Sequence, residues 1–309
     1  MGCWLNFKNC VMEITLKTFN IGIKKVGIMG CGFMGSEIGY VCAKEGYNVI
    51  MTDLSQEIVD KGMARIKSNL EHRVNKGSIS KNQMIACLDQ INGTPLIKDF
   101  YDCDLVIEAI VEKIEAKREV FASLDKICKR EAILATNTSS LSIIDIAAPT
   151  KRMEQVLGMH FFPPIELMPL LEISKSIATS GEVAKVAVDF GESLGLKVIV
   201  TNDYPAFIVN NIAGPMMLQG VRLLEKGLSS PEEIDQSIRI ALGHPIGPLS
   251  LLDYVGLDVV LNMAKSVYEE TKDMIWAPPL LLRKMVAAGW LGRKTGKGFY
   301  NYKRENGST

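Results

Sequence analysis

A glycine motif constrains the fold of this 309-residue chain more than any other feature. The motif, Gly30-Cys31-Gly32-Phe33-Met34-Gly35, follows a short apolar run at 26–29 and precedes a segment of helical spacing at 33–46. A second apolar run ends in an acidic residue about 20 residues beyond the glycines, the spacing typical of dinucleotide-binding βαβ units. There the glycines allow a tight turn and close approach of a pyrophosphate, and the acid accepts hydrogen bonds from the ribose. The candidate cofactor residues are Gly30, Gly32, Phe33, Met34, Gly35 and Asp53.

The acidic residue Asp53 also bears on which dinucleotide binds. A carboxylate here repels the 2′-phosphate of NADP, and the next residues, Leu54 and Ser55, include no arginine to receive that phosphate. The sequence therefore favours NAD. The alternative is a tight turn between strand and helix that binds no ligand, and the complete order of strand, glycines, helix, strand and acid argues against it.

Apolar runs and helical segments alternate along the first two thirds of the chain. Strands are predicted at 26–29, 47–52, 105–108, 132–136, 156–161, 170–174 and 197–201. Helices are predicted between them, at 33–46, at 55–74, after a turn at 77–80 as far as 88, at 115–128, within 139–148 and at 181–194. This alternation predicts an α/β fold with a mainly parallel, doubly wound sheet of the Rossmann type.

The pattern changes after residue 202. From Ala206 onward the periodicity is helical, with helices predicted at 207–226, from 231 onward, at 257–272 and at 279–287. Ser230, Pro231 and Glu233 together form a helix start with a capping box. We expect residues 25–202 to form a nucleotide-binding domain and residues 203–309 an all-α domain. Residues 1–24 lack the features of a signal peptide and are expected to be a dispensable tail or the product of a start codon placed too far upstream.

Composition argues against several classes of partner. The chain has 35 Lys and Arg against 35 Asp and Glu, so bulk charge gives no support for a nucleic-acid partner or an anionic membrane surface. No apolar run approaches the roughly 20 residues of a membrane helix. The seven cysteines are odd in number and lack C-x-x-C spacing, which indicates reduced thiols in the cytoplasm. The three histidines lie far apart in sequence, so no metal site is expected.

Polar residues are placed at or near the ends of three consecutive predicted strands. The segment 136–140 follows one strand, His160 lies at the end of the next, and Glu172 lies on the strand after that. Ligand sites in doubly wound sheets lie beyond the carboxyl ends of strands. A histidine beside a carboxylate can form an acid–base pair, in which the carboxylate fixes the tautomer and stabilises the imidazolium. From the pattern alone, a structural histidine and a solvated glutamate remain open as alternatives.

Ordered motifs along the chain resemble those of the 3-hydroxyacyl-CoA dehydrogenases, especially the short bacterial 3-hydroxybutyryl-CoA dehydrogenases. They are KKVGIMGCGFMG (24–35), DLVIEAIVEKIEAKREVF (104–121), ATNTSSLSI (135–143), GMHFFPP (158–164), LLEI (170–173), PAFIVNN (205–211), GHPIGPLSLLDYVGLD (243–258) and GWLGRKTGKGFYNY (289–302). The resemblance implies NAD-dependent oxidation of a short (S)-3-hydroxyacyl-CoA, and the reverse reduction, in fatty acid or butyrate-type metabolism. It also implies a homodimer that forms through the helical domain.

The same resemblance implies roles for individual residues. His160 takes the proton of the 3-hydroxyl group, and Glu172 is its partner. Ser139 and Asn210 hydrogen-bond the 3-oxygen of the substrate, and Ser139 also lies next to the nicotinamide. The remaining implied binding residues are Glu112 and Lys117 for NAD, and Asn69 and Lys76 for acyl-CoA.

The segment after His160 departs from the family pattern. The family usually has His-Phe-Phe-Asn-Pro followed by Val-Pro-Val-Met-Lys, whereas this chain has Pro163 in place of the asparagine, Glu166 in place of a proline and Pro169 in place of the lysine. Two other functions therefore stay open. One is a related dehydrogenase that oxidises a 3-hydroxy acid without CoA, such as L-gulonate, and the other is a nucleotide-binding protein that has lost catalysis.

Overall fold

An eight-stranded sheet forms the first part of the chain in the computed structural model, which describes residues 22–302. Its strands are β1 Lys25–Met29, β2 Asn48–Thr52, β3 Ile91–Thr94, β4 Leu105–Glu108, β5 Ile133–Thr136, β6 Val156–Phe161, β7 Leu170–Lys175 and β8 Lys197–Asn202. Their spatial order is β3-β2-β1-β4-β5-β6-β7-β8. All neighbouring pairs are parallel except β6 and β7, which are antiparallel. The predicted doubly wound, mainly parallel sheet is confirmed.

Eleven α-helices accompany these strands within the described range. They are α1 Phe33–Lys44, α2 Gln56–Asn75, α3 Lys81–Asp89, α4 Ile114–Ile127, α5 Ile143–Ala147, α6 Gly181–Ser193, α7 Val209–Glu225, α8 Pro231–Leu242, α9 Pro248–Val255, α10 Leu257–Thr271 and α11 Leu280–Ala287. No helix of this part of the chain has the length and apolar character needed to cross a membrane.

The strand order reverses beside β1. The chain runs outward from β1 through β2 to β3 and then returns to the other side of β1 with β4. At such a reversal the connections diverge to opposite faces of the sheet and leave a crevice at the carboxyl ends of the strands, where ligands bind. The glycine motif follows β1 and therefore lies at this crevice.

Two elements are absent from the sequence-based prediction. Strand β3 has the sequence INGT, in which Ile91 is the single buried apolar side chain, so it shows no apolar run. Helix α9 has only eight residues and begins at Pro248, and a short segment of this kind gives little periodicity. The predicted helix start at Ser230 is confirmed, since its hydroxyl accepts the N–H of Glu233 and the Glu233 carboxylate accepts the N–H of Ser230.

The helices after β8 have an apolar core of their own. Its buried residues come from all five helices α7 to α11 and include Met217, Leu218, Val221, Leu252 and Leu261. The preceding linker is fixed to the sheet region by Asp203, whose carboxylate oxygens accept the backbone N–H groups of Ile143 and Ile144, each at 3.0 Å. The division into domains at residue 202 stays a prediction, and residues 1–21 of the predicted tail lie outside the described residues.

Candidate active site

The glycine loop after β1 is shaped by three glycines with different surroundings. Gly30 has a φ of +111°, and a Cβ added to it would lie 2.5 Å from the carbonyl oxygen of Ala109. A Cβ on Gly35 would lie 1.8 Å from the carbonyl oxygen of Gly30, so the start of α1 packs directly on the loop. Gly32 has open space where its Cβ would be, which leaves its backbone free for close approach by a phosphate. The loop therefore fits a dinucleotide.

Asp53 lies where the ribose site is predicted, one residue beyond β2. Its Oδ2 accepts the N–H of Cys31 in the glycine loop at 2.7 Å, and its Oδ1 accepts the N–H of Leu54 at 2.7 Å. A carboxylate has about four acceptor positions, so both oxygens can still receive ribose hydroxyls. Leu54 and Phe33 expose 88% and 55% of their surfaces beside this loop and offer apolar contact to a ligand.

An arginine that the sequence analysis missed also touches the glycine loop. The Arg65 guanidinium, from α2, lies 3.4 Å from the carbonyl oxygen of Cys31 and 3.3 Å from the hydroxyl of Ser36. The prediction of NAD rested on the absence of an arginine at the two positions after Asp53. Arg65 lies further along the chain and is brought to the loop by the packing of α2 on α1, which no local spacing rule reveals.

His160 and Glu172 form the predicted pair. They lie directly opposite each other in the antiparallel β6–β7 ladder, where facing side chains are neighbours. The His160 Nδ1 atom is 2.8 Å from Glu172 Oε2, and both side chains are buried. An ionised carboxylate only accepts hydrogen bonds, so Nδ1 holds the hydrogen and Nε2 is the nitrogen left for proton transfer.

The second oxygen of Glu172 faces the start of α7. Glu172 Oε1 accepts the backbone N–H of Ile208 at 3.1 Å and of Val209 at 2.9 Å. Burial by itself would raise the pKa of Glu172, but the hydrogen bonds from His160, Val209 and Ile208 outweigh burial and hold the pKa below its ordinary value. The carboxylate is therefore ionised at neutral pH and can stabilise an imidazolium.

Asn210 follows directly after this contact. It is the second residue of α7, next to Val209, and its side chain is half-buried. The turn before α7 contains two non-glycine residues in the left-handed region, Ala206 with φ 69° and Phe207 with φ 48°. Asn211, which the sequence analysis missed, supports this turn because its Nδ2 donates to the carbonyl oxygens of Pro205 and Phe207 at 2.7 and 2.6 Å.

Ser139 is held by the predicted cofactor residue Glu112. The backbone N–H of Ser139 donates to Glu112 Oε1 at 3.1 Å, and the hydroxyl of Thr138 donates to the same oxygen. Lys117 contacts the other oxygen of Glu112 at 3.1 Å, but its side chain is only 1% exposed. The Lys117 ammonium also binds Glu108 at 2.7 Å.

Glu108 and Asn137 were not singled out by the sequence analysis. Glu108 is fully buried at the end of β4, and its Oε2 accepts the hydroxyl of Thr136 on β5 at 2.7 Å. Asn137 Oδ1 accepts the N–H of Phe161 at 2.9 Å, which continues the contact between β5 and β6 one residue past the ladder and fixes the peptide after His160. Both residues lie inside motifs whose pattern gives no sign of their partners.

The predicted CoA-binding residues lie apart from these groups. Asn69 and Lys76 are exposed, Asn69 within α2 and Lys76 at its C-terminal cap, and seven residues bring them to the same side of the helix. Among residues 22–302 neither forms a hydrogen bond with the His160–Glu172 pair. The same range contains no cluster of side chains suited to a metal ion.

Comparison with known proteins shows what this arrangement is similar to. The NAD binding domain of 3-hydroxyacyl-CoA dehydrogenase matches residues 25–204, and the C-terminal domain of 3-hydroxyacyl-CoA dehydrogenase matches residues 207–302. A 3-hydroxybutyryl-CoA dehydrogenase of Bradyrhizobium diazoefficiens is 42% identical over 281 residues, covering 91% of this chain and 96% of the relative.

Two solved structures extend the comparison to three dimensions. The (S)-3-hydroxybutyryl-CoA dehydrogenase PaaH1 of Ralstonia eutropha has a TM-score of 0.87 and 39% identity, covering 91% of this chain and 100% of the other. FadB2 of M. tuberculosis has a TM-score of 0.88 and 38% identity, covering 91% of this chain and 99% of the other.

Proposed function

Because this chain belongs to the 3-hydroxyacyl-CoA dehydrogenase family, we propose that it interconverts (S)-3-hydroxybutyryl-CoA and acetoacetyl-CoA with NAD. The observation that supports this most is the His160–Glu172 hydrogen bond of 2.8 Å near the carboxyl end of β6. The names of the relatives at about 40% identity support a four-carbon acyl group.

His160 transfers the proton in the proposed reaction. When bound, NAD accepts the hydride in oxidation and, in its reduced form, supplies it in reduction. In oxidation the Nε2 atom of His160 accepts the proton of the 3-hydroxyl group, and in reduction the imidazolium returns it. Glu172 keeps Nδ1 protonated and stabilises the positive ring, and the N–H groups at the start of α7 keep Glu172 in place.

Two polar side chains are assigned to the 3-oxygen. The Ser139 hydroxyl and the Asn210 amide would donate hydrogen bonds to it as negative charge develops. Glu112 supports Ser139 through its backbone N–H, and Asn210 follows the residue whose N–H binds Glu172. The acyl-CoA would therefore lie between the sheet region and the helical region, with the glycine loop, Asp53, Glu112 and Lys117 on the cofactor side.

The assembly and location are further parts of the proposal. Exposed apolar side chains on and beside α7 and α8 support a homodimer formed through the helical region; they are Ile212, Leu228, Ile240 and Leu242. A cavity of about 340 Å³ between the same helices has a mainly apolar lining that a second copy could fill. The five cysteines within residues 22–302 are free thiols, which supports a reducing cytoplasm.

The assay is NADH oxidation, followed by absorbance, with acetoacetyl-CoA and with free acetoacetate as separate substrates. We expect rapid turnover of the thioester and little of the free acid, and a clear preference for NADH over NADPH. Preference for the free acid would instead support a dehydrogenase of CoA-free hydroxy acids. Binding of NADH without turnover of either substrate would support a nucleotide-binding protein without catalysis.

A further inference from the structure

The segment between β6 and β7, residues 162–169, is fixed on one side to the catalytic histidine. The ring of Phe162, its first residue, lies 4.3 Å from the ring of His160 between centroids. Ile165 is buried, and its backbone N–H faces Glu37 of α1 at 3.4 Å. The segment also contains Glu166, one of the three departures from the family pattern, which the proposed mechanism does not use.

Glu166 joins this segment to two helices at once. Its carboxylate accepts hydrogen bonds from the Tyr40 hydroxyl at 2.9 Å and the Lys44 ammonium at 3.3 Å, both on α1, and it forms an ion pair with the Arg73 guanidinium of α2. Arg73 also donates to the Tyr40 hydroxyl at 2.8 Å and stacks on its ring at 4.7 Å. Burial favours the neutral acid, but Arg73, Tyr40 and Lys44 outweigh it and hold the pKa of Glu166 below its usual value.

Arg73 lies in the last turn of α2, close to the exposed ammonium group of Lys76 at the end of the helix. Arg73 and Lys76 are three residues apart, and Asn69 is four residues before Arg73, so the three are neighbours along one strip of the helix. Lys76 is exposed, and within residues 22–302 it has no salt-bridge partner. Glu166 therefore holds the last turn of α2, next to the free ammonium group of Lys76, against the segment 162–169, whose first residue packs on His160.

We propose that Glu166 is a positioning residue for recognition of the nucleotide part of CoA. A thioester whose 3-oxygen lies at His160 must place its phosphates some distance away, and the Glu166–Arg73 ion pair sets where the cation at the end of α2 stands relative to the histidine. Preset geometry of this kind lowers the cost of ordering the site when substrate binds. The inference rests on the proposed function, since it takes acyl-CoA as the substrate.

The test compares Glu166→Gln with the wild-type chain in two kinds of measurement. Calorimetry should show Kd for CoA and for acetoacetyl-CoA raised about threefold to tenfold, with Kd for NADH unchanged. The factor is smaller than the roughly tenfold or more expected for loss of a direct hydrogen bond to a charged group, because Glu166 acts on the nucleotide only through α2. Turnover of acetoacetyl-N-acetylcysteamine, a thioester without the nucleotide, should change by less than about twofold, because only the nucleotide is misplaced.

Two further variants make the test specific. Arg73→Met should raise the CoA Kd by a similar factor, and the double variant should be no worse than either single variant, because both remove one ion pair. Glu57→Gln is the matched control, since it breaks the Glu57–Lys61 pair of 2.6 Å on the exposed face of the same helix and should leave the CoA Kd unchanged.

Three outcomes contradict the inference. Tighter CoA binding by Glu166→Gln would mean that the carboxylate competes with phosphates for Arg73. Equal losses with CoA and with the truncated thioester would mean that residues 162–169 simply lose their conformation. A wild-type chain that fails to bind CoA would overturn both this inference and the proposed function. A wild-type chain that binds CoA without turnover would contradict only the proposed function, and the comparison of CoA Kd values would still test the role of Glu166.

Discussion

Two buried carboxylates in different regions of the molecule stabilise the start of a helix in the same way. Glu172, in the sheet, accepts two backbone N–H groups at the start of α7, at 3.1 and 2.9 Å. Asp235, in the helical region, accepts two at the start of α9, at 2.8 and 2.9 Å. In both places the carboxylate satisfies donors that a helix start leaves without intrahelical partners and lies at the positive end of the helix dipole.

The two carboxylates differ in their remaining partner. Glu172 binds the imidazole of His160, whereas Asp235 binds the hydroxyls of Ser250 and Tyr300, at 2.5 and 2.9 Å. An imidazole changes its charge near neutral pH and a hydroxyl does not. The same helix-capping arrangement can therefore act as an acid–base pair in the sheet, as proposed above, whereas in the helical region it is a structural link. The difference resides in one neighbouring side chain.

A second carboxylate beside Asp235 extends the structural link. Asp253 accepts the backbone N–H groups of Phe299 and Tyr300 at 2.9 and 3.0 Å and the Tyr302 hydroxyl at 3.0 Å, which fixes the end of the described chain to α9. Within residues 22–302 neither aspartate forms a salt bridge. Burial, together with the charge of Asp235, outweighs these donors and raises the pKa of Asp253.

The largest expected effect is on His160. His160→Gln should lower kcat by roughly 10²–10⁴-fold, the range for loss of a general acid–base group, while Kd for NADH stays within about twofold because the glycine loop is untouched. The measurement is single-turnover hydride transfer together with NADH titration. His244→Gln in the helical region is the control and should retain the wild-type rate. Near-wild-type transfer by His160→Gln would remove this histidine from the chemistry.

Matched amide variants of Glu172 and Asp235 test whether the two capping carboxylates have different roles. Glu172→Gln should lower kcat at least about tenfold, because a neutral amide stabilises the imidazolium poorly. Asp235→Asn should leave kcat close to wild type and lower the free energy of unfolding by about 1–3 kcal/mol, because it disturbs buried hydrogen bonds. Urea denaturation and steady-state kinetics on both variants separate the two roles. Equal losses of kcat would show that the two sites are not functionally distinct.

A smaller effect is expected at Asp53, a third carboxylate that accepts an N–H next to a helix start. Its contact to Cys31 fixes the glycine loop, and acceptor positions remain on the carboxylate for the hydroxyls of the predicted ribose. Asp53→Ala should raise Kd for NAD about tenfold, as for loss of a hydrogen bond to a charged group, and narrow the preference over NADP. Fluorescence titration with NADH and NADPH measures both. A wild-type chain that prefers NADPH would contradict the assignment of this residue.

Much of the sheet was predictable from the sequence because parallel strands buried on both faces are short apolar runs between helices. The two elements that were not predicted lack a local signal. Strand β3 has one buried apolar side chain, and α9 is short and depends on Asp235 for its start. The segment of β3 therefore shows no apolar run typical of a strand, and the segment of α9 contains no side chain that caps its own start.

The site was predictable where chemistry and strand position coincide, as at His160 and Glu172. Asn137 and Glu108 were not predictable as supporting residues, because they act on groups that only the fold brings near. Asn211 acts on the nearby carbonyl groups of Pro205 and Phe207, but the left-handed turn that it supports has no signal in the sequence. Glu166 is an intermediate case. Its departure from the family pattern was visible in the sequence, but its partners on α1 and α2 were not.

The smallest expected effect is on the pH dependence of stability. This dependence should have opposite signs for Glu172 in the sheet and for Asp253 in the helical region. The pKa of Glu172 is lowered in the folded chain, so its contribution is complete above the ordinary value of 4.5 and is lost as pH falls toward the lowered value. The pKa of Asp253 is raised above 3.8, so the folded state binds a proton more readily than the unfolded state, and the stability of the wild type falls as pH rises through that window. The free energy of unfolding of wild type minus Glu172→Gln should therefore decrease on acidification, and that of wild type minus Asp253→Asn should increase. Urea titrations at several pH values between the acid range and neutrality measure both differences. Slopes of the same sign would mean that the hydrogen bond to His160 does not distinguish the titration of Glu172 from that of Asp253.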